Sequence, residues 1–313
     1  MRKQVTSDIL MIRPANFRYN EETASNNYYQ KVVEGLSVED AQKNALREFD
    51  EFVEKLRMKK LNVKVIDDTP SPETPDAIFP NNWVSFHEDG TVCMYPMFAE
   101  SRRKERRKDI IDQLATEYEI KEVVDYTSYE DLQKYLEGTG SMVLDRANLV
   151  VYAAISVRTN RDILDLFCKK YGYQPVIFRA NQTVNGERVP IYHTNVMMCL
   201  AEQFVVICLD TIDDENERKQ VTGMFEKSGK DIIVISEEQL NFFAGNMLQV
   251  CNTDGQYYTI MSSTAFHSLT KDQLEIIEKY GAVIHSSLDT IEACGGGSAR
   301  CMMAEIFLPP KRN

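Results

Sequence analysis

Residues 138–180 read GTGSMVLDRANLVVYAAISVRTNRDILDLFCKKYGYQPVIFRA, and their pattern decides the fold. The first part, GTGSMVLDRANLVVYAAIS, carries two β-rich runs. A helix is expected from about Asn160 to Tyr171, followed by the strand PVIFRA. The order is strand, strand, helix, strand. It recurs about every 55 residues along the chain.

Upstream, FPNNWVSFHEDGTVCMYP places two β-rich runs around a turn at Asp89 and Gly90. A charged helix is expected there from about Arg102 to Glu119, then the strand EVVDY. Downstream, HTNVMMCLAEQFVVICLD leads to a helix near Asp214 to Lys227 and the strand DIIVIS. AGNMLQVCNTDGQYYTIMS leads to a helix near Thr270 to Tyr280 and the strand AVIHS. The fifth unit is divided between the two ends of the sequence. GGGSARCMMAEIFLP lies near the last residue, while DILMIR, a helix near Val38 to Lys59, and VKVI lie near the first.

A unit cut across the termini suits a closed ring, because pairing the end segments leaves no loose strand edge. The expected architecture is α/β: one domain over residues 1–313, a five-bladed α/β propeller of ββαβ units closed by its terminal segments. An open α/β sheet of similar units remains the alternative.

The repeat also points to a site. Asn81, Glu137, His193, Asn246 and Cys301 stand at equivalent positions, in steps of 56, 56, 53 and 55 residues. In a ring of equivalent units, equivalent positions meet near the axis. Cys301 follows the glycine-rich GGGSAR, where backbone N–H groups can approach a ligand closely. His193, in YHTNV at the opening of a strand, suits acid/base work near neutral pH. A thiolate beside an imidazolium is a competent nucleophile. Each residue taken singly has a plainer reading: a buried thiol, a satisfied core histidine, a turn-capping carboxylate for Glu137. Their convergence favours chemistry.

The balance of the sequence excludes other classes. A formal charge of −12 argues against nucleic acid or an anionic membrane as partner. The chain is 43% hydrophobic, and no apolar run reaches the length needed to span a bilayer. The opening MRKQVTSDILMIRP has only a strand-length apolar stretch, so no signal peptide is expected. Seven cysteines without a C-x-x-C pair suggest reduced thiols and a cytoplasmic location. His87, His267 and His285 show no metal-ligand spacing, and GGGSAR lacks the lysine of a phosphate loop. No metal and no cofactor is expected, the partner is a small molecule, and a homo-oligomer stays open. The basic run Arg102–Lys108 reads as a solvated helix face, Trp83 and the scattered methionines as core. The segment NFRYNEETASNNYYQ, residues 16–30, is either a loop over the site or an ordered surface turn.

Taken together, PDAIFPNNW, SRRKE, LEGTGS, RTN, YHTN and GGGSARC resemble, in order and spacing, the amidinotransferase-like or pentein superfamily of guanidine-modifying enzymes. This includes arginine deiminases and dimethylarginine dimethylaminohydrolases, and the likeness covers essentially the whole chain. FPNNW, SFHEDG and IYHTNVMMC look most like the citrulline-utilisation hydrolase branch. The resemblance implies the five-bladed propeller, with Cys301 as nucleophile, His193 as acid/base and Glu137 as acidic partner. It places Asp76 and Phe79 with the substrate pocket, and Arg102 and Arg158 on an α-carboxylate; Asn81, by its repeat position, is expected to bind substrate beside them.

Two departures bear on substrate. Asn82 and Asn195 fall where relatives that act on guanidinium groups place carboxylates. An amide suits a neutral ureido group, donating to its oxygen and accepting from its N–H. The expectation is a hydrolase of L-citrulline giving ornithine, carbon dioxide and ammonia through a covalent thioester. An arginine deiminase or methylarginine hydrolase, and a binding protein with an inactive channel, are the alternatives.

Overall fold

The computed structural model describes residues 2–311. Five three-stranded sheets are built to one plan: an antiparallel pair, then a third strand parallel to the second. Val84–Phe86, Thr91–Met94 and Glu122–Asp125 form one, and Val143–Asp145, Val150–Ala154 and Gln174–Phe178 the next. Met198–Leu200, Phe204–Ile207 and Asp231–Val234 form the third. Leu248–Cys251, Tyr257–Ser262 and Ala282–Ser286 form the fourth. In the fifth, Ala304–Glu305 pairs antiparallel with Asp8–Arg13, which runs parallel to Asn62–Asp67. Ile9 faces Glu305 and Leu10 faces Ala304, so the two ends of the chain share a sheet as the divided repeat implied.

The parallel step in each sheet requires a crossover, and helices supply it in each unit. Their ends follow local chemistry. Asn160 caps Arg161–Tyr171 through its side chain, and Gly172 closes the helix at φ +74°. Asp214 caps Glu215–Lys227, and Thr270 with Gln273 forms a capping box on Lys271–Glu278. In Val38–Met58 the inward face is Ala41, Ala45, Phe49, Phe52, Val53 and Leu56, a helical stripe of buried side chains. The middle strands Val150–Ala154 and Phe204–Ile207 are buried at every residue, having packed matter on both faces.

First strands of neighbouring sheets lie against one another. Val143–Asp145 meets Met198–Leu200, which meets Leu248–Cys251, and Ala304–Glu305 meets Val84–Phe86. The turns ahead of three of these strands also pack together: Gly138–Ser141 contacts both Pro80–Asn82 and Thr194–Met197.

Two expectations are corrected. The helix expected from Arg102 to Glu119 is broken into Glu100–Arg103 and Lys108–Leu114, and Arg102 at the end of the first piece is buried against Glu105. His193 does not open a strand but precedes one helical turn, Thr194–Met197, with the strand following. Glu137 precedes the equivalent turn Gly138–Ser141. Beyond the repeat, Asn181–Val184 and Glu187–Pro190 form a hairpin turned by Asn185 and Gly186, both at positive φ. No helix among the described residues is long and apolar enough to cross a membrane.

Candidate active site

Glu137 and His193 are delivered by the same device, one residue before a single helical turn in neighbouring sheets. The turn after Glu137 is GTGS because only glycine fits. A Cβ on Gly138, at φ +48°, would stand 2.3 Å from the Asn81 carbonyl oxygen. A Cβ on Gly140 would stand 2.4 Å from Asn82 Nδ2 and 2.9 Å from His193 Nδ1. These glycines let the backbone pass directly behind the functional side chains.

His193 Nε2 lies 2.7 Å from Glu137 Oε2, and both side chains are buried. Burial alone would raise the Glu137 carboxyl. Arg158, the His193 hydrogen bond and Arg102 outweigh it and hold Glu137 well below the ordinary carboxylate range. An ionised carboxylate only accepts, so the shared proton sits on His193 Nε2 and leaves Nδ1 as the basic nitrogen. Burial pulls the imidazole down to about 4 despite Glu137, so His193 is neutral at pH 7.

One cavity of about 20 Å³ joins the chemistry. It is lined by Asp76, Phe79, Asn82, Arg102, Arg158, His193 and Cys301, together with Thr23, Asn27, Tyr192 and Gly295–Gly297. That space holds about one water molecule. Its cover is the 16–30 segment, which forms the short helix Glu21–Ala24 over the site. Asn27 Nδ2 donates to the Gly296 carbonyl at 3.2 Å, and Gln30 Nε2 to the Cys294 carbonyl at 3.0 Å. Tyr192 closes the same side, its hydroxyl donating to the Gly296 carbonyl at 2.8 Å and its ring beneath the Arg158 guanidinium at 4.8 Å.

The charged residues are largely paired. Arg102 binds Glu105 bidentately, Nε to Oε1 and Nη2 to Oε2, each at 2.9 Å. Its Nη1 donates to Asn82 Oδ1 at 2.8 Å and its Nη2 to the Phe79 carbonyl at 3.2 Å. Arg158 Nη1 lies 3.5 Å from Glu137 Oε2, while Nε and Nη2 reach Asn26 Oδ1 and Nη2 also donates to the Thr23 carbonyl. Asp76 Oδ2 accepts from Asn20 at 2.8 Å and Thr23 at 3.2 Å, but its Oδ1 is buried with no partner among the described residues. Burial pushes this carboxyl up against the opposing pull of Arg102.

Not every expected residue faces the cavity. Glu137 stands behind His193, and Asn81 binds the Cys301 carbonyl at 2.7 Å, holding backbone rather than facing the pocket. Asn195 lines a separate cavity of about 30 Å³, with its Nδ2 3.8 Å from Cys301 Sγ. Thr23, Asn27, Tyr192, Glu105 and the Asp76 partner Asn20 were missed by sequence reasoning. Only the asparagine- and tyrosine-rich segment 16–30 hinted at Asn20, Thr23 and Asn27.

The family described as N,N dimethylarginine dimethylhydrolase, eukaryotic, matches residues 13–308. No curated protein matches the sequence. Among solved structures, an apo arginine dihydrolase (ArgZ) from the ornithine-ammonia cycle in cyanobacteria is similar with TM-score 0.74 at 16% identity. That match covers 96% of this chain and 41% of the cyanobacterial one, so this chain spans about two fifths of that protein. The N-terminal domain of the same enzyme, bound to substrate, matches with TM-score 0.71 at 16% identity over 96% of this chain and 98% of that one. A dimethylarginine dimethylaminohydrolase bearing an adduct with S-methyl-L-thiocitrulline matches with TM-score 0.61 at 14% identity, covering 96% of this chain and all of that one. These likenesses establish a shared α/β fold. With 296 of its residues inside the family's match, this chain belongs to the eukaryotic N,N dimethylarginine dimethylhydrolase family.

Proposed function

We propose that this chain is a cysteine hydrolase of C–N bonds at the guanidino carbon of a free, arginine-type amino acid. In this reading residues 1–313 form one catalytic domain whose five sheets close into a five-bladed α/β propeller. The pairing of the terminal strands and the contacts between first strands support the ring. Seven free cysteines fit a reducing compartment such as the cytoplasm.

The observation that carries the function is Asp76 Oδ1, unpartnered in the cavity that also holds Cys301 and His193. Arg102 pairs with Glu105 at 2.9 Å and lies 3.8 Å from Asp76 Oδ2, while Arg158 stands 3.5 Å from Glu137, so three carboxyl groups surround two guanidinium groups and Asp76 Oδ1 keeps a free acceptor. A guanidinium brings both the N–H donors and the compensating charge. Opening of the 20–30 segment admits it and frees Arg158 from Thr23 and Asn26 to take the α-carboxylate.

The Cys301 thiol then gives its proton to His193 Nδ1 and its sulfur bonds the guanidino carbon. The imidazolium formed is stabilised by Glu137. Breakdown of the tetrahedral adduct returns that proton to the departing nitrogen and leaves a covalent S-amidino intermediate. Water, deprotonated by His193, adds to the same carbon; the C–S bond breaks and the thiol is regenerated.

A second reading refines the substrate to L-citrulline, yielding ornithine, carbon dioxide and ammonia. It rests on Asn195, a neutral amide where guanidinium-acting relatives are expected to carry a carboxylate; its Oδ1 is buried without a partner, and it lines the cavity next to the one that holds His193. Asn82 supports it less, since its amide is committed to Arg102 and Asn81. Product analysis separates the readings with L-arginine, L-citrulline and dimethyl-L-arginine as substrates. Citrulline as the end product of either guanidino substrate supports a single hydrolysis. Ornithine from citrulline supports the ureido step. Turnover of none of the three would overturn the proposal.

A further inference from the structure

Asn246 stands at the fourth of the five repeat positions, 1% exposed, and its backbone is brought in under constraint. Phe243, three residues earlier, takes φ +60°, and its carbonyl accepts the Asn246 N–H at 2.8 Å. A Cβ on Gly245 would lie 2.3 Å from the Val196 carbonyl oxygen. A non-glycine residue in the left-handed region costs free energy and persists where surrounding structure enforces it.

The carboxamide has one orientation. Oδ1 accepts the Arg300 backbone N–H at 3.1 Å, and Nδ2 donates to the Asn195 carbonyl at 2.9 Å. Turning the amide over would set oxygen against a carbonyl and nitrogen against an N–H. The second N–H of Nδ2 therefore faces Cys301 Sγ, 3.2 Å away. Asn195 Nδ2 is the next donor, at 3.8 Å. Among the described residues no cation is hydrogen-bonded to this sulfur, and the His193 hydrogen bond goes to Glu137.

We infer that Asn246 is a catalytic residue whose side-chain N–H stabilises the Cys301 thiolate. The inference rests on the reading of Cys301 as nucleophile. A buried thiolate in surroundings lined by Phe79 and glycine is costly without a donor. A hydrogen bond to an ionised acceptor is about twice as strong as one to a neutral acceptor. The contact thus strengthens when the proton passes from sulfur to His193, and again when the C–S bond breaks and sulfur leaves. It favours the charged states over the resting thiol, which is what accelerates a step.

The test is a pH titration of thiolate ultraviolet absorbance, each variant measured against its own Cys301→Ser counterpart so that the other six cysteines cancel. Asn246→Ala is expected to raise the Cys301 titration by about one to two pH units. Asn246→Asp, of the same size, keeps the acceptor for Arg300 N–H and is expected to raise it at least as far, should the alanine variant not fold. Asn246→Ser retains a donor and is expected to lie between these and the parent. An unmoved titration in folded Ala or Asp variants overturns the inference and leaves Asn246 a support for the Arg300 backbone. Retained turnover in Cys301→Ser would instead overturn the nucleophile assignment beneath it.

Discussion

Arg158 lines the cavity that holds His193 and Cys301, yet it is hydrogen-bonded to Asn26 Oδ1, through Nε at 2.8 Å and through Nη2. The cation that the proposal assigns to the substrate carboxylate is therefore engaged by the segment that covers the site. Binding must exchange these hydrogen bonds for those of the ligand.

That exchange sets the effect of replacing Arg158. Charged hydrogen bonds contribute about 1.5–3 kcal/mol each, so Arg158→Lys is expected to raise KM by about ten- to a hundredfold. Asn26→Ala should leave kcat within a few fold, because it removes only the resting partner. Steady-state kinetics of both variants check the pair. An equal loss of kcat in each would contradict it.

Glu137 fixes the His193 tautomer and balances Arg158. Glu137→Gln is expected to lower kcat by about three to four orders of magnitude, as for other oriented catalytic imidazoles. Removing one partner from a buried ion pair also destabilises by about 3–5 kcal/mol. A fall in melting temperature should accompany the kinetic loss. Activity near wild type would remove Glu137 from the scheme.

The His193 imidazole is depressed to about 4 by burial, against an ordinary value near 6.5. Between these values the unfolded chain holds a proton that the folded one lacks, so stability rises with pH across that window. The contribution is complete above about pH 6.5 and lost as pH falls towards 4, about 3 kcal/mol in all. Because the proposed mechanism needs neutral His193 as base, the acidic limb of kcat/KM should fall below pH 5. Denaturant titrations and a pH–rate profile read both. An acidic limb near 6.5 would contradict them.

Gly140 offers a test of spacing alone. Its backbone is not in the left-handed region, yet a Cβ there would press on Asn82 Nδ2 and His193 Nδ1. Gly140→Ala is expected to displace both, reducing kcat by about a hundredfold or more while destabilising by about 1–3 kcal/mol. Unchanged kcat would mean that the imidazole position does not matter.

Much of this arrangement is legible in the sequence because it lies in the repeat. Asn160, Asp214 and Thr270 mark helix starts by side-chain chemistry, and the structure uses each as a cap. Glu137 and His193 meet because equivalent turns precede equivalent strands. Residues outside the repeat had no such register. Asn20, Thr23 and Asn27 reach the site through the path of one irregular segment, which hydrophobic periodicity does not encode. Glu105 looked solvated because it sits among basic residues. Its burial follows from Arg102, three residues earlier, turning inward towards Asn82 and the Phe79 carbonyl. Asn246 was placed by spacing, but the orientation of its amide depends on the Arg300 and Asn195 backbones.

The account depends most on a bond between Cys301 sulfur and the substrate's guanidino-type carbon. S-methyl-L-thiocitrulline tests it directly, since attack at that carbon expels methanethiol and leaves the amidino group on the attacking residue. Slowing hydrolysis with His193→Gly, the protein would be mixed with this compound, quenched in acid and mapped by peptide mass spectrometry. The account predicts the added mass on the Cys301 peptide alone, absent in a further Cys301→Ser variant. Its appearance on another cysteine, or methanethiol release without any Cys301 adduct, would contradict it.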